Sequence, residues 1–303
     1  MRQVVYALTG SEIKPPILDR LIERFAERVR DDIEDIVWSA NFLGISEAEK
    51  LFSRFRAMGP PDQASLCLDP VVFNAVCAAK SNTCVDTVTH LTNTVSVTRS
   101  NLGNHDGFWI GGTIQVDLGS DYCATVDPTS PVFLRPMESL TAEERRAVEH
   151  KLAGAIAEID ATSAVFGRLI RNYTRKIFCR KIEGMVPASE QVDTELGAIR
   201  LRNVHSDIYT HDQLVDDLIH ESTHGFLGAF EYVNYPFNPY GFQAERWVRP
   251  VSPWSMRSIQ VLPFVHACFG KRLADPVGVK IPRHEVFELG ERPAVCEALE
   301  RLR

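Results

Sequence analysis

The chain has 303 residues, 45% of them hydrophobic and 24% charged, a globular balance with enough length for one large core or two smaller ones. A net charge of -7 and no basic stripe exclude nucleic acid as the expected partner. No apolar run has transmembrane length, the first ten residues lack a signal-type apolar core, and seven cysteines without a C-x-x-C pair suit reduced thiols, so a cytoplasmic protein is expected.

Pro15-Pro16 opens the first expected helix, over 15–40. Its apolar residues Ile17, Leu18, Leu21, Ile22, Phe25, Val29, Ile33, Ile36 and Val37 recur at helical spacing, the pattern of a core stripe. A second helix is expected over 46–58, with Ser46 and Glu49 as a capping box and Gly59-Pro60-Pro61 as a stop. A third follows Asp69-Pro70, to about residue 80. From Thr92 to Arg135 the chain is rich in Val, Thr, Ile and Gly, with turn residues at 101–104, 111–112 and 127–128, which predicts short strands and hairpins. His105-Asp106 in this stretch reads as a plain turn in preference to a metal or substrate site. Thr141 and Glu144 form a capping box for a helix expected over 142–178, kinked at Gly154 or Gly167. Its basic end (Arg168, Arg171, Arg175, Lys176, Arg180, Lys181) suits a helix C-terminus. Residues 182–204 supply strands, the last of them the alternating Gly197–Asn203.

Thr210 and Gln213 then cap a helix expected over 211–230, and inside it lies His220-Glu221-Ser222-Thr223-His224. Histidines four apart stand one turn above each other on one helical face, so both imidazoles reach one metal ion, and Glu221 reaches a metal-bound water from the same turn. The competing reading is a surface helix with two unrelated histidines. Against it, Leu214, Val215, Leu218, Ile219, Phe226, Leu227 and Phe230 surround the motif with apolar residues on more than one face, and buried imidazoles need partners. The strand just before the helix is placed as in zincins, where an extended peptide adds to a sheet edge beside the metal.

Beyond the helix, the aromatic, proline-broken stretch 232–242 reads equally as a substrate wall or as a loop packed on the core. Residues 255–270 are expected to be helical and 283–302 to form short closing helices. A catalytic metal requires a third protein ligand. The pattern H-E-x-x-H-x-x-G-x-x-H fails, since Leu227 and Phe230 occupy its glycine and histidine positions. Glu231 lies about 10 Å of helical rise from His224, too far to join it. His266, in Val265-His266-Ala267-Cys268-Phe269, is the preferred candidate. Glu245, which would complete a His-His-Glu site, is the alternative.

From about 190 to 275 the chain resembles the HExxH family of 2-oxoglutarate-dependent peptide β-hydroxylases from ribosomal peptide natural-product pathways. The resemblance is carried by Gly197-Ala198-Ile199, Leu218 to His224, Ser252-Pro253-Trp254 and Phe264 to Phe269, and covers under a third of the chain. It implies Fe(II) held by His220, His224 and His266, with 2-oxoglutarate as co-substrate and a ribosomally made precursor peptide as substrate. It also implies a basic residue for the distal carboxylate of 2-oxoglutarate. Arg257, in a Ser255-Met256-Arg257-Ser258 stretch that lacks the family's proline, is the first candidate, and Arg249 the second. Three neutral imidazoles would leave the metal its full double charge and open positions for 2-oxoglutarate and dioxygen.

Two further functions are carried forward. One is a zinc metallopeptidase in which Glu221 is the general base. The other is a peptide-binding maturation partner with an inactive metal site. The expected fold is α+β and mainly α-helical, with a zincin-like metal-binding helix, a small β-region and an N-terminal helical part. Residues 1–90 form the helical region and 91–303 the metal-binding catalytic region, or the two form one continuous domain.

Overall fold

In the computed structural model, residues 16–100, 107–120, 122 and 137–233 are described. The expected turns at 101–104 and 127–128, His105-Asp106, the stretch 234–242, Glu245, Arg249, Arg257, His266 and the C-terminal helices lie outside the described residues.

Helix α1 (Pro16–Phe42) buries Leu18, Leu21, Phe25, Val29, Ile33, Ile36 and Val37 of the stripe read from the sequence, leaves Ile22 half-buried, and buries Ala40 besides. Helix α2 is Glu47–Arg56, but the expected capping box does not form. Ser46 already has helical dihedrals (φ -62°, ψ -26°), and its hydroxyl donates to the Glu47 carboxylate at 2.9 Å. A capping side chain must leave the helical region to turn back onto the N3 amide. Gly59-Pro60-Pro61 ends α2 as expected and also starts an unforeseen helix, α3 (Pro60–Cys67), because proline at the first helical positions loses no needed N–H. Helix α4 (Pro70–Ser81) is capped by Asp69, which accepts from the amides of Val71 at 2.8 Å and Val72 at 3.3 Å.

The expected strands from residue 92 are corrected in part. Val85–Ser100 is helix α5, packed on α2 and α4, with Val88, Leu91 and Val95 buried at helical spacing. Its threonines, which favour strands, are accommodated by back-bonding: the Thr92 hydroxyl donates to the Val88 carbonyl at 2.7 Å. The β-region proper begins later, with β1 (Gly107–Ile110) and β2 (Ile114–Asp117) in an antiparallel hairpin. Gly111 and Gly112 make its turn with φ of 56° and 70°, dihedrals that side chains disfavour.

Helix α6 (Ala142–Thr162) starts on the expected capping box, with both Thr141 and Glu144 bonds present. The single helix to 178 is corrected. It ends at Ser163, whose extended backbone (φ -149°, ψ 106°) caps a separate helix α7 (Ala164–Tyr173) through the Phe166 amide. Gly167 is not a kink; it lets the Asp160 side chain approach, since a Cβ there would fall 2.2 Å from Asp160 Oδ1. Lys176–Arg180 is strand β3. Lys176 and Arg180 are therefore not helix-end cations. They project from the sheet face opposite Ile177 and Cys179, where Arg180 pairs with Asp117 at 2.9 Å and Lys176 with Asp69 at 3.3 Å.

Strands β4 (Ala188–Glu190) and β5 (Ala198–Arg202) complete a five-stranded sheet of order β1-β2-β3-β5-β4. Strands β2, β3 and β5 run parallel, with β1 and β4 antiparallel at the edges. The strand expected to border the cleft as an edge, Gly197–Asn203, is thus internal, and the edge beside it is β4. Helix α8 (His211–Val233) has the expected start, since the Thr210 hydroxyl accepts from the Gln213 amide at 3.2 Å.

Two buried clusters meet on α8. Leu214, Val215, Leu218 and Ile219 join the sheet residues Ile114, Val116, Ile177, Cys179, Ile199 and Leu201 and the apolar face of α6. Phe226, Leu227, Ala229 and Phe230 join the cluster built by α1 to α5. The fold is mixed α and β, mostly helical among the described residues, with one small sheet. No helix among them is long and apolar enough to cross a membrane.

Candidate metal centre

Residues advance by about 100° along a helix, so Asp217, His220, Glu221 and His224 share one face of α8. The other faces are spoken for. Besides the two apolar clusters, Ser222 and Thr174 exchange a buried hydrogen bond at 2.8 Å. Gly225 lies against the chain at Tyr173, where a Cβ would stand 3.1 Å from the Tyr173 carbonyl oxygen. These contacts fix the rotation of α8 about its own axis and direct the histidine face toward β4.

The Nε2 atoms of His220 and His224 are 3.1 Å apart, with ring planes inclined at 72°. Two nitrogen ligands at about 2.1 Å from one ion lie about 3.0 Å apart at a right angle and about 3.4 Å apart at the tetrahedral angle. The observed separation falls between these, so the spacing of the pair suits two positions on one metal ion. Among the described residues, His220, Glu221 and His224 form the group whose ligand atoms all lie within 4.8 Å of one another.

Glu221 is buried, and its carboxylate is held against the sheet. Its Oε1 accepts from the Ser189 hydroxyl at 2.8 Å, and the Gln191 amide also donates to the carboxylate. Burial pushes its pKa up to about 8; the nearby charges of Asp217 and Glu190 add to the rise, and the two donors oppose it. One turn back, burial pushes the Asp217 pKa up to about 6, against the hydrogen bond it accepts at 2.5 Å from the Tyr209 hydroxyl. Burial likewise raises the Tyr209 phenol well above its ordinary value. Asp217 is also within hydrogen-bond reach of Ser189. Tyr209, Asp217, Ser189 and Glu221 thus form a continuous polar strip leading to the histidine pair.

The structure brings together His220, Glu221 and His224 from the sequence reading, while His266, Glu245, Arg249 and Arg257 lie outside the described residues. The sequence reading gave no role to Ser189, Asp217 or Tyr209. Asp217 was signalled by its spacing, one turn before the motif on the same face. Ser189 carried no such signal, because its approach to Glu221 depends on sheet register.

No protein-family model matches this chain, and the comparison with curated proteins also gives no match.

Proposed function

We propose that this protein is a metal-dependent enzyme acting on a peptide, and specifically an Fe(II)- and 2-oxoglutarate-dependent hydroxylase of a side-chain β-carbon in a ribosomally made precursor peptide. The observation that carries the metal-dependent part is the His220–His224 pair, spaced for two positions on one ion and held on a helix face whose rotation is fixed by packing. The iron and 2-oxoglutarate part rests on the resemblance of residues 190–275, with His266 as the third ligand and Arg257 or Arg249 as the clamp for the distal carboxylate. When bound, iron with 2-oxoglutarate and dioxygen supplies the oxidising power needed to hydroxylate an unactivated carbon.

The chain's own residues do the rest. Neutral imidazoles at 220 and 224 hold the ion without cancelling its charge, which leaves that charge to draw in an anionic co-substrate. Glu221 is buried beside the two histidines, which are themselves half-buried and so stay open to a ligand from outside. Strand β4 pairs only with β5 among the described residues, so its outer backbone groups can receive an extended peptide whose alternate side chains face α8.

The deciding experiment uses protein purified without oxygen and supplied with Fe(II), ascorbate, 2-oxoglutarate and a candidate precursor peptide, followed by mass spectrometry. A gain of one oxygen that depends on 2-oxoglutarate and is accompanied by succinate supports the reading. Cleavage of the peptide backbone with zinc alone would replace it with a metallopeptidase.

A further inference from the structure

Strand β4 reads Ala188-Ser189-Glu190, and its register with β5 sets Ser189 opposite Leu201. Leu201 belongs to the cluster on the α8 side of the sheet, whereas Glu190, opposite Arg200, belongs to the other side and pairs with that arginine at 3.2 Å. The residue that the edge strand turns toward the metal helix is therefore a serine, where an apolar side chain would extend the core. Its hydroxyl donates to Glu221 Oε1 at 2.8 Å.

We propose that Ser189 is a positioning residue that holds Glu221 out of the ligand sphere of the metal, keeping the Glu221 carboxylate on the sheet edge. This rests on the metal-centre part of the function proposed above and on no particular chemistry at that centre. A carboxylate oxygen of Glu221 lies within 4.8 Å of the ligand atoms of both histidines. A dication at the histidines favours the ionised form of Glu221, and an unrestrained carboxylate there can swing onto the metal and fill a position that chemistry requires open. The Gln191 amide and the Ser189 hydroxyl are the two donors that hold it.

A serine hydroxyl has a single proton to give, and Asp217 is a second acceptor within its reach. The Tyr209 hydroxyl, at 2.5 Å, supplies Asp217 with a donor of its own. Two donors are thus matched to two carboxylates, and the Ser189 proton is left for Glu221. Ser189 acts through Glu221 and through the edge strand that carries it, so it links the place where a peptide would add to the ligand set of the metal.

The test uses the full chain loaded with Co(II) alone, read by its visible absorption and by the tightness of cobalt binding. A carboxylate that joins the Co(II) coordination sphere, whether added to it or in place of a water, shifts its visible bands. Wild type, Ser189→Thr, which keeps the hydroxyl, and Glu221→Gln are expected to share one spectrum. Ser189→Val, the same shape as threonine without the hydroxyl, should show shifted bands and tighter binding. The double variant Ser189→Val/Glu221→Gln should return to the wild-type spectrum. Ser189→Ala gives the same comparison if valine impairs folding. The inference is overturned if the valine or alanine variant binds cobalt with the wild-type spectrum. It is also overturned if Glu221→Gln alone changes the spectrum, since Glu221 would then already be a ligand. A wild-type protein that takes up no cobalt sinks the metal centre itself, and that outcome is distinct from both.

Discussion

His220 and His224 each offer the metal one neutral nitrogen, and neither brings a charge that a neighbour could replace. His220→Ala or His224→Ala should therefore abolish stoichiometric metal binding, measured by metal analysis of dialysed protein, while His266→Ala should weaken it markedly. If Glu245→Ala strips the metal and His266→Ala leaves it, a His-His-Glu site replaces the three-histidine one. Glu221 separates the two enzyme classes. In a peptidase it must take a proton from metal-bound water, and Glu221→Gln would cost roughly two to four orders of magnitude in rate. In the hydroxylase no water need be deprotonated, so the glutamine variant should retain its metal and a measurable fraction of the oxygen transfer. At this scale the metal pair was legible, because an i, i+4 spacing on a helix fixes a distance by itself. Ser189 was not, because its neighbour Glu221 is 32 positions away in sequence, and only the pairing of β4 with β5 brings the two together.

Among the elements, α8 was readable from its cap to its apolar flanks because every signal in it is local. Helix α5 was not, since the run Thr94-Val95-Ser96-Val97 carries strand-forming residues, and the decision for helix comes from packing on α2 and α4. The break between α6 and α7 was hidden for a related reason: the apolar period runs straight through Ser163, whose capping bond ends one helix and starts the next. The buried carboxylates of α8 give this element a pH response of its own. The Asp217 pKa is raised from an ordinary 3.8 to about 6, so the folded chain keeps a proton that the unfolded chain has released. The stability tied to that proton is full below the unfolded value and is lost as pH rises through about 6. Asp217→Asn stays neutral throughout. In metal-free protein, the stability of wild type relative to this variant should fall by on the order of 2 kcal/mol between about pH 4 and about pH 7. Denaturant midpoints across that range measure it; a constant difference between the two proteins would show that Asp217 is not held neutral by the fold.

On the scale of the whole molecule, α8 is common to both buried clusters, and the histidine pair sits where one gives way to the other. Leu218→Ala removes packing on the sheet side, and Phe226→Ala removes it on the side of α1 to α5. Each should cost about 2–5 kcal/mol. Each should also lower the denaturant concentration at which metal is released, in step with loss of helical signal in one transition. Two separate transitions, with metal released in only one, would instead divide the chain into a helical part and a metal-binding part. The order of the shared helix in the chain has a consequence for biosynthesis. Helices α1 to α5 leave the ribosome more than a hundred residues ahead of α8, which at about 5–20 residues per second is several seconds or more. During that interval Leu18, Phe25 and Val29 have formed their stripe, but the aromatic side chains at 226 and 230 that cover part of it have not been made. The nascent helical segment is therefore the stage at which a chaperone has apolar surface to hold, and a metal ion has nothing yet to bind.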